Sequence, residues 1–141
     1  MTEANQKPLH FTPDPDAGYT VTRRPDGGMN LTFTQINEHT LEHWRDFAVE
    51  HLLGSDSLKR NLYDLRAVER ISERGVRMAV ELNSDPSTRN IRLAVVVANA
   101  DVRRAIEKVV ELTLASGARM QIFDDIDEAE AWLNRPIEQM I

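Results

Sequence analysis

The segment that decides the fold reads Leu62-Tyr63-Asp64-Leu65-Arg66-Ala67-Val68-Glu69-Arg70-Ile71-Ser72-Glu73-Arg74-Gly75-Val76. Its apolar start predicts a buried strand that ends near Asp64, and Ser72 is a residue type that caps a following helix. A strand, a short polar connection and a capped helix form the repeating unit of small α/β domains. In such domains, ligands and partners favour the carboxyl ends of the strands.

The flanking sequence predicts more units of this kind. Apolar residues alternate with polar ones on either side of the turn at residues 25–28, which predicts an antiparallel hairpin over residues 19–33. The continuous apolar run Ile91–Ala98 indicates a central strand covered on both faces. The other predicted elements are a helix from Asn37 to about Leu52, the strand Asn61–Leu65, helices after Ser72 and Asn99 (the second ending near Gly117), the strand Ala118–Phe123 and a helix opened by Asp125.

This element order predicts an α/β fold with a five-stranded mixed sheet packed with four helices. The sheet would be antiparallel at the N-terminal hairpin and largely parallel beyond it. With 141 residues, the chain fits one domain. We expect a flexible N-terminal tail at residues 1–18, which hold three of the six prolines, a single domain over residues 19–135, and a C-terminal tail at residues 136–141.

Composition excludes several classes of function. The chain has no cysteine, so disulfides, thiolate zinc sites and thiol nucleophiles are absent. The formal net charge of −6 argues against nucleic-acid binding, which relies on phosphate attraction. No apolar run approaches the length of a membrane span, and the first 18 residues lack the apolar core of a signal peptide. We therefore expect a cytoplasmic protein.

The element order, the pattern from Asp64 to Val76 and a closing segment resemble the bacterial SpoIIAA-like (STAS/SEC14-like) proteins. The closing segment reads Ile122-Phe123-Asp124-Asp125-Ile126-Asp127-Glu128-Ala129, followed by Trp132-Leu133. The resemblance covers about residues 19–133 and implies a small STAS-type domain. It also implies one of two roles found among such proteins, either anti-sigma-factor antagonism controlled by serine phosphorylation or ligand binding.

The phosphorylated serine is missing from its usual place. In the antagonists the connection reads approximately Ile-Asp-Ser-Ser-Gly-Leu, whereas this chain reads Ile71-Ser72-Glu73-Arg74-Gly75-Val76. Glu73 and Arg74 occupy the serine positions, and a glutamate cannot accept a phosphate. Ser72 is more simply a helix cap, although its position leaves phosphorylation there as a hypothesis.

Eight residues at the predicted strand ends form the candidate binding site for a partner or ligand, here called the strand-end rim. They are Asp64, Arg66, Arg70, Ser72, Glu73, Arg74, Asn99 and Asp101. The arginines could hold an anion or an acidic partner surface, or they could form a solvated face balanced by glutamates. We predict no catalytic residue, cofactor or metal ligand.

Two other patterns have simpler explanations than a metal site. The string His39-Thr40-Leu41-Glu42-His43 has the spacing of a zinc-protease motif, but the helical wheel points both histidines to solvent. The acidic run Asp124–Glu130 lacks the spacing and glycine of a calcium loop, and capping of the last helix accounts for it.

The leading hypothesis is a non-enzymatic regulatory module that presents the strand-end rim to a protein partner or to a second copy of itself. The alternative is a carrier for a small apolar or anionic ligand, or for a lipid, as the SEC14-like side of the resemblance implies. An enzyme is a distant third possibility. The sequence does not identify the partner, the ligand or the oligomeric state.

Overall fold

The computed structural model describes residues 16–51, 59–86, 88, 91–113 and 119–135. The strands are β1 (Tyr19–Arg23), β2 (Met29–Phe33), β3 (Lys59–Asp64), β4 (Ile91–Val96) and β5 (Arg119–Phe123); the helices are α1 (Glu38–His51), α2 (Glu73–Asn83), α3 (Ala100–Thr113) and α4 (Ile126–Leu133). The element order agrees with the prediction. The predicted tails fall outside the described residues, apart from residues 16–18, and so do Leu52, Gly117 and Ala118.

Within the described residues the five strands lie side by side in the order β1-β2-β3-β4-β5. β1 and β2 are antiparallel, and the other three neighbouring pairs are parallel. Consecutive parallel strands joined by right-handed crossovers place their connecting helices on one face of the sheet. The mixed five-stranded sheet is therefore confirmed.

Two cores lie on opposite faces of this sheet. The larger one packs α1, α2 and α3 against residues such as Phe33, Tyr63 and Leu93. The smaller one packs α4 against Leu62, Ala94 and Val96. Because side chains alternate along a strand, β4 supplies residues to both cores, and all six of its residues are buried. This confirms that Ile91–Val96 is a central strand covered on both faces.

The turn between β1 and β2 is joined to α4 by a buried arginine. Arg24 is 5% exposed, and its guanidinium donates to both carboxylate oxygens of Glu130 at 3.0 and 2.8 Å. It also donates to Asp26 and to the amide oxygen of Asn30. These bonds fix the N-terminal hairpin against the helix that covers the smaller core.

The packed region extends slightly upstream of the first strand. Ala17 is fully buried, and the carbonyl of Gly18 accepts a hydrogen bond from the Thr34 amide at 2.8 Å. None of the helices in the described part of the chain has the length and apolar character needed to cross a bilayer.

Candidate functional site

The strand-end rim lies where β3 and β4 end and where α2 and α3 begin. Parallel strands end at the same edge of a sheet, so the connection after β3 and the connection after β4 are neighbours. Leu65 donates its amide to the carbonyl of Val96 at 2.8 Å, and Val97 donates to Phe123 at 2.9 Å, which continues the strand pairing into the rim. The backbone beneath the rim is therefore held by the sheet.

Asp64 and Arg66 form a bidentate charge pair within the rim. Arg66 donates Nε to Oδ1 of Asp64 at 3.0 Å and Nη2 to Oδ2 at 2.8 Å, and its backbone amide also donates to Oδ1 at 3.0 Å. The side-chain hydrogen bonds from Arg66 hold the pKa of Asp64 below its ordinary value, although partial burial acts in the opposite direction. The side-chain hydrogen bonds to Asp64, and then the charges of Asp64 and Asp125, raise the pKa of Arg66.

This pair predicts a stability difference that depends on pH. Because the folded pKa of Asp64 is depressed, its contribution is fully present above the ordinary carboxyl pKa and is lost as pH falls through the folded value. We expect Asp64→Asn to lower the free energy of unfolding by about 1 kcal/mol at about pH 6, since Arg66 is about half exposed. Urea unfolding should show this deficit shrinking below about pH 4. A deficit that is constant over this range would contradict the assignment.

Asn99 connects the two loops of the rim. Its side-chain oxygen accepts from the Val102 amide at 2.8 Å, which caps α3 as predicted. Its side-chain nitrogen donates to the carbonyls of Val68 and Glu69 at 3.0 and 3.2 Å. One amide side chain therefore holds the connection after β3 against the start of α3.

Replacing this amide by a carboxylate separates the two roles of Asn99. Asn99→Asp keeps the oxygen that caps α3 but removes the donor to the two carbonyls. We expect it to lower the free energy of unfolding by about 1–2 kcal/mol. Asn99→Ala should cost about 1 kcal/mol more, because the cap is lost as well. Chemical denaturation measures both; equal stability of the Asn99→Asp variant and the parent would show that the bridge contributes nothing.

Ser72 caps α2, as the sequence predicts. Its hydroxyl accepts from the Gly75 amide at 3.1 Å, and its backbone is extended, as is usual at this position. Glu73 is exposed in the first turn of α2 and lies 4.0 Å from Arg77 one turn later. The negative side chain lies at the positive end of the helix dipole, where it is favourable.

The other charged residues of the rim differ in whether they have an ion-pair partner. Arg74 pairs with Glu38 at the start of α1, and Asp101 pairs with Arg104 on its own helix. Both pairs are exposed. Arg70 is exposed and has no polar partner among the described residues. The rim therefore presents one free guanidinium between charges that are already balanced.

One prediction about the histidines is wrong. His39 is exposed as expected, but His43 is half-buried and its Nδ1 lies 2.7 Å from the hydroxyl of Tyr19 in β1. The helical wheel misplaced His43 because it omits the neighbouring strand, which reaches across to this face of α1. No group of three or more metal-ligating side chains occurs among the described residues.

The acidic run caps α4, as predicted. Oδ1 of Asp125 accepts from the amides of Asp127 and Glu128 at 2.7 and 3.3 Å. Asp127 and Glu128 lie in the first turn, where negative charge favours the helix dipole.

The sequence did not predict an open groove beside the rim. This α2–α3 groove has a volume of about 700 Å³ and is lined by Ile71, Glu73, Val76, Arg77, Val80, Glu81, Lys108 and Leu112. Leu112 is 54% exposed. The sequence did offer one indication of this groove. Leu112 is an apolar residue of α3 that does not belong to the buried face of that helix. Val76 and Val80 of α2 are half-buried and line this groove.

A second, apolar space lies in the larger core. This cavity of about 60 Å³ lies between the sheet and α1, α2 and α3, with Phe33, Leu41, Trp44, Tyr63, Ile106 and Met120 among its lining residues. For comparison, an engineered cavity of about 150 Å³ admits benzene.

Comparison with solved structures decides the fold. An uncharacterised protein of the DUF3478 family from Shewanella loihica PV-4, described as having a SpoIIAA-like fold, superimposes with a TM-score of 0.59. The match covers 82% of this chain and 91% of that one, at 14% sequence identity. This chain has a SpoIIAA-like fold. No protein-family model matches the sequence, and no curated protein matches it.

The SpoIIAA-like fold confirms the resemblance seen in the sequence. It accounts for the closing segment, in which Asp125 caps the helix that covers the smaller core. At 14% identity the comparison establishes fold alone, so the role of the strand-end rim rests on the contacts described above.

Proposed function

We propose that this chain is a non-enzymatic regulatory module of the cytoplasm that binds a protein partner through the strand-end rim and the α2–α3 groove. The observation that carries the proposal is the continuity of these two surfaces. Glu73 belongs to both, and Ile71, which lines the groove, directly follows the rim residue Arg70 in the chain. A charged anchor next to a groove that combines apolar and charged side chains is a typical arrangement of a protein-binding surface.

The chemistry of the rim favours binding over catalysis. Asp64 is held as a carboxylate by Arg66, so it is a poor general base. The Ser72 hydroxyl accepts a backbone hydrogen bond as a cap, and no histidine or carboxylate is hydrogen-bonded to it among the described residues. An activated nucleophile needs such a base.

The charge of Arg70 suggests which chemical group the partner presents to the rim. The free Arg70 is the uncompensated charge of the rim, while Arg66, Arg74 and Asp101 have partners within the chain. A guanidinium binds a carboxylate with two parallel hydrogen bonds. We infer a partner that places a carboxylate against Arg70 and an apolar segment in the groove.

Affinity capture from the native cells tests this proposal. The tagged chain is compared with Arg70→Glu and with Arg45→Glu, a control at an exposed arginine of α1 that lies outside the rim and the groove. We expect one protein to be enriched by the parent and by Arg45→Glu, and to fall about tenfold with Arg70→Glu. Enrichment that is insensitive to Arg70→Glu, or lost equally in both variants, would contradict the proposal.

Sedimentation equilibrium of the purified chain covers the case in which the partner is a second copy. An Arg70-dependent dimer would identify the rim as a self-association surface. A dimer that is unchanged by Arg70→Glu would place the contact elsewhere.

The second candidate function is a carrier for a small apolar ligand, and the apolar cavity of the larger core favours it. Ligand pockets usually measure about 300–1,000 Å³, so a carrier would have to open its core by moving α1 or α2. Native mass spectrometry of freshly purified protein separates the two functions. A co-purified small molecule supports the carrier, and a bare polypeptide mass supports the interaction module.

A further inference from the structure

Four arginines lie together at the end of the sheet opposite the strand-end rim, where β3, β4 and β5 begin. Arg60, Arg92 and Arg119 lie in register on β3, β4 and β5, so their backbones are adjacent and their side chains share the face covered by α4. Arg135 follows the end of α4 and joins the group through its backbone carbonyl, which accepts from Nη1 of Arg92 at 2.7 Å. These four residues are here called the arginine row.

Arg92 is the most deeply buried member of the arginine row. Its side chain is fully buried, and the ring of Trp132 lies 5.7 Å from its guanidinium carbon. Nη1 donates to the carbonyls of Trp132, Leu133 and Arg135 at 3.1, 3.0 and 2.7 Å, which satisfies the end of α4. Nε and Nη2 are buried and have no hydrogen-bond acceptor among the described residues.

Capping of α4 does not account for the whole row. Arg60 donates Nε to the Leu133 carbonyl at 2.7 Å, so it shares in the cap. The side chains of Arg119 and Arg135 make no hydrogen bond or ion pair within the described part of the chain. No described carboxylate pairs with any member of the row. Four guanidinium groups thus repel one another in a chain whose net charge is −6.

The direction of the pKa shift of Arg92 agrees with this clustering of arginines. Burial is the main cause that lowers the pKa of Arg92, and the charges of Arg60, Arg119 and Arg135 lower it further. An anion placed among these groups would remove the repulsion and supply acceptors for the unpaired N–H groups.

We propose that the arginine row binds a compact oxyanion of the phosphate class, either free or as part of a larger metabolite. Phosphate carries up to two charges and several acceptor oxygens, which suits several converging guanidinium forks better than a single carboxylate does. Exposure increases along the row, from the buried Arg92 through the half-buried Arg60 and Arg119 to the exposed Arg135. An anion would therefore enter past Arg135 and Arg119 and be bound toward Arg92.

Isothermal titration of the full chain with inorganic phosphate tests the proposal, with sodium chloride of equal ionic strength as the salt control. The test variants are Arg119→Gln and Arg135→Gln, whose side chains lie toward the surface. The matched control is Arg45→Gln, at an exposed arginine of α1 that belongs to neither the arginine row nor the strand-end rim. We expect stoichiometric binding to the parent and to Arg45→Gln, and about tenfold weaker binding to each test variant.

Absence of binding, or equal binding to all variants, would overturn the proposal. A further arm examines the chain's own carboxylates, because Glu138 follows Arg135 closely in the sequence. If Glu138→Gln binds phosphate and the parent does not, an internal carboxylate fills the row and an external anion is excluded.

A phosphate-bearing metabolite, rather than free phosphate, would be indicated by tighter binding of a nucleoside monophosphate that is equally weakened by Arg119→Gln. Arg70 and the arginine row lie at opposite ends of the strands. A failure of the phosphate proposal therefore does not affect the partner proposal.

Discussion

Replacement of Gly28 by alanine is expected to lower the free energy of unfolding by more than about 4 kcal/mol, or to prevent folding. A Cβ at this position would lie 1.6 Å from the carbonyl oxygen of Arg60. That oxygen is part of β3, so the clash is with backbone and cannot be relieved by a side-chain rotation. β2 and β3 would have to separate at the point where their parallel pairing begins.

Gly27→Ala provides the matched control in the same turn. Gly27 has a φ of +91°, so alanine there is strained by about 1–2 kcal/mol. Urea unfolding followed by circular dichroism should therefore rank the parent first, Gly27→Ala second and Gly28→Ala last by a wide margin. If the two variants were equally stable, the close approach of β2 to β3 would be refuted.

Trp132→Ala is expected to produce the second large effect, a loss of about 3–5 kcal/mol. Trp132 is 7% exposed and packs on Phe123, with ring centroids 5.8 Å apart. α4 has only eight residues, and Ala129, Trp132 and Leu133 are the side chains that bury it. Loss of the indole removes most of the apolar contact that holds α4 over the smaller core.

Trp132→Phe tests whether this loss comes from packing. We expect it to cost about 1 kcal/mol, because an aromatic ring remains over Leu62, Ala94 and the guanidinium of Arg92. Thermal and urea unfolding measure both variants. A small effect of Trp132→Ala would show that α4 contributes little to stability and that the arginine row is held by other contacts.

The sequence predicts most of the fold because the signals are local. Alternation identifies the hairpin, the apolar run at residues 91–96 identifies the central strand, and Ser72, Asn99 and Asp125 cap the helices that they precede. Each of these signals acts within a few residues of the chain. Periodicity and capping therefore suffice to place the elements.

The candidate site is predicted less completely because its contacts join distant segments. The partner of Arg74 is Glu38, 36 residues away, and the hydroxyl that contacts His43 belongs to Tyr19 on another element. Arg92 was read as one residue of an apolar strand, yet it meets the end of α4, about 40 residues later. Only the packing of α4 onto the sheet brings Arg60 and Arg92 beneath the carbonyls of that helix.

Hydrogen–deuterium exchange on the captured complex tests the central claim most directly, because it locates the bound surface without relying on a mutation. Compared with the free chain, we predict slower exchange at residues 66–76 and 98–101, with β1 and the arginine row unchanged. Protection confined to the arginine row or to β1, with none at residues 66–76, would contradict the account.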